Sequence, residues 1–270
     1  MRPCKISAGG LRPVFWADSV CINQGNVDEK SRQIQLMDQV YRNANRVLVW
    51  LGDAQNAEDR ALKLFAWASK VGPEQILFES NLTSKALEIK RLVEMAWFTR
   101  RWMIQEVVLN SDVHLFCTDV EISLVRVFHA LNVLQGSTLL EQVDHHVLNA
   151  LLMIYDLWCK WSLRGEQIEK PELIGLLCKF DTFGCADDRD RLYAILGLAQ
   201  NPVLQKPELY HDTLPLINYS DSVDQLYTNF AAINVSSGQI GFFRVAAKYN
   251  QKEADSTLPS WVPDWRQPRQ

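Results

Sequence analysis

The chain has 270 residues, 47% of them hydrophobic and 22% charged, which is enough length and apolar content for a sizeable core in one large domain or two small ones. A net charge of −4 and a pI near 5.8, without a long basic run, exclude a nucleic-acid binder that works through phosphate contacts. No apolar stretch reaches the length of a membrane span, and MRPCKISAGGLRP lacks the apolar region of a signal peptide. Six cysteines at 4, 21, 117, 159, 178 and 185 show no CxxC pair or ligand spacing, so they read as reduced, mostly buried thiols of a cytosolic or nuclear protein with no metal site, and a cytoplasmic location is expected.

In chain order, residues 1–12 match no strand pattern. Val14-Phe15-Trp16-Ala17 is an apolar run closed by Asp18, as in a strand covered on both faces. Asp28 and Glu29 then supply negative charge to a helix start, and Ile34, Met37, Tyr41 and Ala44 recur at helical spacing, with Lys30, Gln35, Asp38 and Arg42 facing away. Arg46-Val47-Leu48-Val49-Trp50-Leu51, closed by Gly52-Asp53, is a second buried run. Strand, helix and strand at this length predict a βαβ unit with its two strands parallel in one sheet.

Helices are predicted over 57–71, with Ala61, Leu64, Phe65 and Ala68 inward and Gly72-Pro73 as the stop, and over 83–97. A further helix over 100–109 carries Trp102, Glu106 and Leu109 along one side, and 112–117 alternates like a strand. From 123 the pattern turns helical: 123–134, 139–163, 171–180, 187–198 and 220–236. Residues 240–247 read as a strand, and the tail 259–268 packs by its tryptophans or hangs free. The shift near 120 divides an α/β part, 1–120, from a mostly helical part, 121–270.

Several stretches carry a resemblance. FWADSVCINQ, the helix with Gln33, Met37, Tyr41 and Ala44, VLVWLGD, RRWMIQEV at 100–107, DDRDRLYAILGLA at 187–199 and LPSWVPDWR at 258–266 together resemble the fungal heterokaryon-incompatibility (HET) domain. That family is distantly similar to TIR domains. The resemblance implies an α/β, TIR-like (flavodoxin-like) partial parallel sheet flanked by helices, followed by a mostly helical C-terminal region. HET domains usually begin with a further strand-bearing segment bearing Ser-Tyr-x-Trp-Gly, which this sequence does not show, so the sheet is expected to lack a strand.

RRWMIQEV is similar to the Trp-Cys-x-x-Glu motif of TIR enzymes, with Met103 in place of the cysteine. By that resemblance Glu106 is the catalytic carboxylate for cleaving NAD at the nicotinamide–ribose bond, with Trp102 beside it. Nicotinamide leaves as a neutral group, so the step needs no general acid; the oxocarbenium-like ribose needs a carboxylate to stabilise it. The structural alternative is a helix residue paired to Arg100 or Arg101. Asp18, Asn23 and Gln24, after the first strand, are candidate ribose or adenine contacts at the carboxyl edge of a parallel sheet, or else side chains that hold a turn. Asp53 is read in the same two ways. The acids and arginines of 187–191 read as caps and bridges. Cys21 reads as a core thiol, since no histidine shares its motif.

The resemblance implies fungal non-self recognition and cell-death signalling, with NAD as substrate and no bound cofactor, and partners in self-association or another HET or NLR-type protein. Two readings stand beside this one: a non-catalytic self-associating module, and a shortened member recruited to a biosynthetic pathway.

Overall fold

The structure, a computed structural model, describes residues 4–5, 14–52, 57–70, 82–118, 120–135, 139–164, 171–199, 217–236, 238–239, 241–249 and 257–266. In chain order the elements are β1 (Cys4–Lys5), β2 (Val14–Phe15), α1 (Asp18–Cys21), α2 (Val27–Ile34), α3 (Met37–Asn43), β3 (Val47–Trp50), α4 (Ala57–Ala68), α5 (Leu82–Val93), α6 (Ala96–Thr99) and α7 (Met103–Val108). Then come β4 (Val113–Cys117), β5 (Val120–Ser123), α8 (Leu124–Leu134), α9 (His145–Arg164), α10 (Leu173–Lys179), α11 (Asp190–Leu196), α12 (Val223–Ser236) and α13 (Gly241–Tyr249). Two compact units contain them: Met1–Gln39 with Asn201–Asp264, and Val40–Gln200 with Trp265–Gln270.

In the first unit β1 and β2 pair antiparallel, Cys4 opposite Phe15 and Lys5 opposite Val14. This corrects two expectations. Residues 4–5 are a strand, and β2 does not lie parallel to β3 in one sheet. Nor is β2 covered on both faces, since Val14 is 63% and Phe15 40% exposed. The predicted long helix is broken into α2 and α3 at Gln35–Leu36. Its start is set by Asn26, whose side chain accepts from the Glu29 N–H at 2.9 Å and so satisfies one orphan donor of the first turn. Asp28 and Glu29 stand in that turn, favourable to the dipole. Ser31 Oγ ties α2 to the distant stretch at 217–219: it donates to Val27 O at 2.8 Å and accepts from Tyr219 N at 3.0 Å. Gln35 Nε2 donates to Ile217 O, and Lys30 Nζ lies 3.9 Å from the centroid of the Tyr219 ring.

Residues 240–247 were expected as a strand; of these, 241–247 lie in the helix α13. Phe242, Ala246 and Tyr249 are buried at steps of four and three residues, while Phe243 and Arg244 are exposed, so the period is 3.6 and not 2. Phe242 meets Phe230 of α12 edge-on, with centroids 5.9 Å apart.

The second unit holds a mixed three-stranded sheet in the order β3-β4-β5. β3 and β4 are parallel, Val47 opposite Val113 through Trp50 opposite Phe116; β5 returns antiparallel, with Cys117 opposite Val120. β5 was not expected from the sequence. Its hairpin turns through Thr118, whose φ of 47° is left-handed. Val47, Val49, Val113, Leu115, Cys117 and Ile122 line the buried face, against which α4 and α8 pack. β3 was expected to be buried on both faces, yet it alternates: Leu48 is 47% and Trp50 61% exposed on the outer face.

At the start of the sheet Arg46 Nε bonds Asp112 Oδ2 at 2.7 Å, and His114 Nε2 lies 2.8 Å from Asp112 Oδ1. Glu121 Oε1 is 2.6 Å from His114 Nδ1, a close ion-pair distance whose angle is poor for a hydrogen bond. The Arg46 hydrogen bond holds the Asp112 carboxyl below its ordinary range, with His114 adding to the effect.

Helix α4 buries Ala61, Phe65 and Ala68 as the spacing predicts, together with Leu62, against α5 and α8. Asn110, in the loop before β4, donates to the carbonyls of Tyr41 and Ala44 at 2.9 and 2.7 Å, and so fixes the end of α3 against the sheet. Helices α9, α10 and α11 complete the unit, and the tail packs: Trp265 is 2% exposed.

The alternation in the sheet predicts a sharp contrast between neighbours. Leu115→Ala, in the buried face, should lower unfolding free energy by about 2–5 kcal/mol, whereas Leu48→Ala should cost under about 1 kcal/mol. Urea unfolding of the two variants beside the parent chain measures both.

Candidate functional site

Glu106 sits in α7, a helix whose other residues are buried, all of them apolar except Gln105. Met103, Ile104, Val107 and Val108 are at most 1% exposed, so the helix is anchored by burial and its remaining face is presented at fixed orientation. Trp102 and Glu106, four residues apart, share that half-buried face. The chain turns at Arg100–Trp102 between α6 and α7, which brings Trp97 back over Glu106. The Trp97 indole Nε1 donates to Glu106 Oε2 at 2.7 Å. A short bond from a neutral donor stabilises the ionised carboxylate and fixes its rotamer.

The turn itself is clipped to the segment 180–191. Arg101 N donates to Gly184 O and Gly184 N to Thr99 O, each at 2.8 Å. The Arg101 side chain is 1% exposed, and its Nη1 donates to Phe180 O at 2.6 Å. Trp102 Nε1 donates to Asp190 Oδ2 at 3.1 Å. Asp190 opens α11, and Asp187 chelates Arg189 through both oxygens, at 2.9 Å to Nε and 2.7 Å to Nη2. Asp188 Oδ1 accepts from Arg191 Nε at 3.1 Å. The acids and arginines of 187–191 therefore neutralise one another and bridge outward, as the sequence suggests.

Cys185 lies in this charged cluster, yet burial pushes its thiol up to about 11, outweighing the favourable fields of Arg191 and Arg101. It is a protonated, unreactive thiol at neutral pH. A small pocket of about 50 Å³ opens on the same segments, lined by Phe98, Thr99, His146, Val147, Ala150, Thr182 and Phe183; Glu106 is not among its lining residues.

The remaining candidates fall elsewhere. Asp18, Asn23 and Gln24 belong to the first unit, and Trp102 and Glu106 to the second. Asp18 is exposed and opens α1, with Oδ1 accepting from Ser19 N at 2.7 Å. Gln24 Nε2 donates to Asp18 O at 3.3 Å, and Asn23 Oδ1 accepts from Gly25 N at 3.1 Å. These bonds are local ones that fold the turn. Because β2 pairs antiparallel with β1, Asp18 does not follow a strand of the parallel pair, and that argument for a ligand edge lapses. Asp53 lies outside the described residues; before it, Gly52 takes a φ of +102°, the left-handed region open to glycine. Sequence reasoning missed Trp97 as the partner of Glu106 and Asp190 as the partner of Trp102. The one available signal was the indole N–H itself, which seeks an acceptor when buried.

Residues 6–106 match the heterokaryon incompatibility protein (HET) family. That segment is HET-like. The chain is also similar to "Heterokaryon incompatibility protein 6, OR allele" of Neurospora crassa, at 24% identity over 94% of this chain and 45% of that protein, so it spans under half the length of this relative. No solved structure matches it. The matched segment of the HET domain ends on Glu106 and takes in Trp97, Arg101 and Trp102, whereas Phe180, Gly184 and Asp190, to which they bond, lie beyond it. Among the described residues, no helix is long and apolar enough to cross a membrane.

Two outcomes follow from this geometry. Arg101→Ala leaves the Phe180 carbonyl and the surrounding acids without a buried guanidinium and should cost about 3–5 kcal/mol, read by denaturant unfolding. For Cys185 the raised pKa favours the folded thiol over the folded thiolate. Its contribution to stability is thus complete below about pH 9 and lost as pH rises towards about 11. Alkylation of Cys185 in the native chain, followed by peptide mass spectrometry, should keep accelerating up to about pH 11, where an ordinary thiol levels off near pH 8.5.

Proposed function

We propose that this chain serves fungal non-self recognition and cell-death signalling, and that Glu106 is the carboxylate of a TIR-like site that hydrolyses NAD. The family match and the Neurospora relative support the role in non-self recognition. The observation that carries the hydrolase reading is the Glu106 carboxylate, half-buried on a rigid helix and oriented by the Trp97 indole at 2.7 Å.

In this reaction the bond between ribose C1′ and the nicotinamide nitrogen breaks, and its electron pair neutralises the pyridinium. Glu106 stabilises the developing oxocarbenium by its charge and by hydrogen bonds to ribose hydroxyls. Water adds at C1′ and loses a proton, giving ADP-ribose, nicotinamide and H⁺. Trp102, on the same face of α7, offers a flat apolar surface for a ring of the substrate. Asp18, Asn23 and Gln24 remain candidate nucleotide contacts by resemblance alone, and Asp53 with them.

A second reading, a non-catalytic module that signals by association in the cytoplasm with its own kind or with another HET or NLR-type protein, is favoured by the apolar side chains of Leu48 and Trp50 left exposed on the sheet.

Nicotinamide release from NAD by the purified chain separates the two. Glu106→Gln keeps an oxygen for the Trp97 indole and removes the charge, so it should leave folding intact and cut release by about 10²-fold or more. Trp97→Phe, which removes the indole hydrogen bond without discharging the carboxylate, should retain part of the activity. Absence of release from a folded chain across a range of protein concentrations would reject the hydrolase in favour of the module.

A further inference from the structure

Trp97 and Trp102 both border Glu106, but they use their indole N–H groups differently. That of Trp97 goes to Glu106 Oε2 at 2.7 Å. That of Trp102 goes to Asp190 Oδ2 at 3.1 Å, 88 residues along the chain. Asp190 is 8% exposed, and a carboxylate so far from water costs free energy unless hydrogen bonds and charge replace its hydration. Its place in the first turn of α11 helps, since the helix dipole favours an acid there. Asp187 and Asp188 bond arginines of their own segment, while Asp190 reaches across to α7. What the bond does for Trp102 follows from the side chain. An indole turns about two bonds, and the outer one has a broad, nearly two-fold preference, so a half-buried ring is loosely set by rotamer alone. A hydrogen bond from its N–H to a buried acceptor fixes the ring plane.

We propose that Asp190 is a positioning residue of the Glu106 site: acting through the Trp102 N–H, it holds the indole as a stacking surface for an aromatic ring of NAD. The inference rests on the reading of Glu106 as the carboxylate of an NAD-cleaving site. It adds to that site a residue from beyond the matched segment 6–106. A stacking contact is made in bound NAD and kept in the transition state, so it acts on both alike and sets KM. The Glu106 charge acts on the developing oxocarbenium and sets kcat. Loss of Asp190 and loss of Glu106 are therefore separable in the kinetics.

The test is steady-state nicotinamide release from NAD by the full chain and its variants, with folding checked by circular dichroism. Asp190→Ala should raise KM by about tenfold, part of what an aromatic stacking contact contributes, and leave kcat within about twofold. A merely structural role would lower the folded fraction, which cuts kcat and leaves KM alone. Asp190→Asn keeps a side-chain oxygen for the indole and should bring KM back to within about threefold of the parent. Trp102→Phe removes the N–H and should raise KM about as much as Asp190→Ala. In that background Asp190→Ala should add less than about twofold, because both changes break one bond. With a parent chain that releases nicotinamide, an unchanged KM in folded Asp190→Ala would overturn this inference and leave the hydrolase standing. An Asp190→Ala effect undiminished in the Trp102→Phe chain would overturn it too, since Asp190 would then act by another route. If Asp190→Ala does not fold, Trp102→Phe decides: an unchanged KM there overturns the proposal. No release from the folded parent rejects the hydrolase and this inference with it.

Discussion

A guanidinium with almost no access to water holds the larger unit together. Arg101 is 1% exposed, and a cation so placed survives only where acceptors and counter-charges replace its hydration. Phe180 supplies a carbonyl, and the field at Cys185 registers Arg101 and Arg191 on one side and Asp188 and Asp190 on the other. Around that point two backbone bonds to Gly184 and the Trp102–Asp190 bond fasten the turn between α6 and α7. The turn in turn brings Trp97 over Glu106. The orientation of the carboxylate is thus a remote consequence of a buried charge.

These bonds join stretches that lie far apart in the sequence. RRWMIQEV and DDRDRLYAILGLA are two halves of one clip, joined through Trp102 and Asp190. In RRWMIQEV the side chains of Met103, Ile104 and Val107 are fully buried, Arg101 holds the clip, and Glu106 is the group on the half-buried face with chemistry to offer.

Where packing follows period, the sequence was readable. Ala61, Phe65 and Ala68 fall on the buried side of α4, and 124–134 and 223–236 are helices where apolar spacing places them. The failures share a cause: short strands are defined by partners that local pattern does not name. The apolar run at Val14 reads like a core strand, but its partner is Cys4–Lys5, and it stays exposed. β5 escaped notice because Thr118-Asp119 is not one of the glycine-containing pairs that announce a hairpin, although Thr118 adopts the positive φ the turn requires. Residues 241–249 mislead because Phe242 and Phe243 satisfy either period until Ala246 and Tyr249 decide it. Glu106 was found by resemblance; its hydrogen bond to Trp97, nine residues back across a turn of unknown angle, was beyond any periodic argument.

The reach of the Arg101 clip also bears on what counts as a domain. Its bonds to Phe180 and from Trp102 to Asp190 span 79 and 88 residues. During synthesis, at ~5–20 residues per second, the HET-matched segment ending at Glu106 therefore waits several seconds for the residues that complete it. A fragment ended at residue 106 has neither β4 beside β3 nor a carbonyl for the guanidinium. The matched segment thus lacks, by itself, the partners that β3 and Arg101 have in the folded chain.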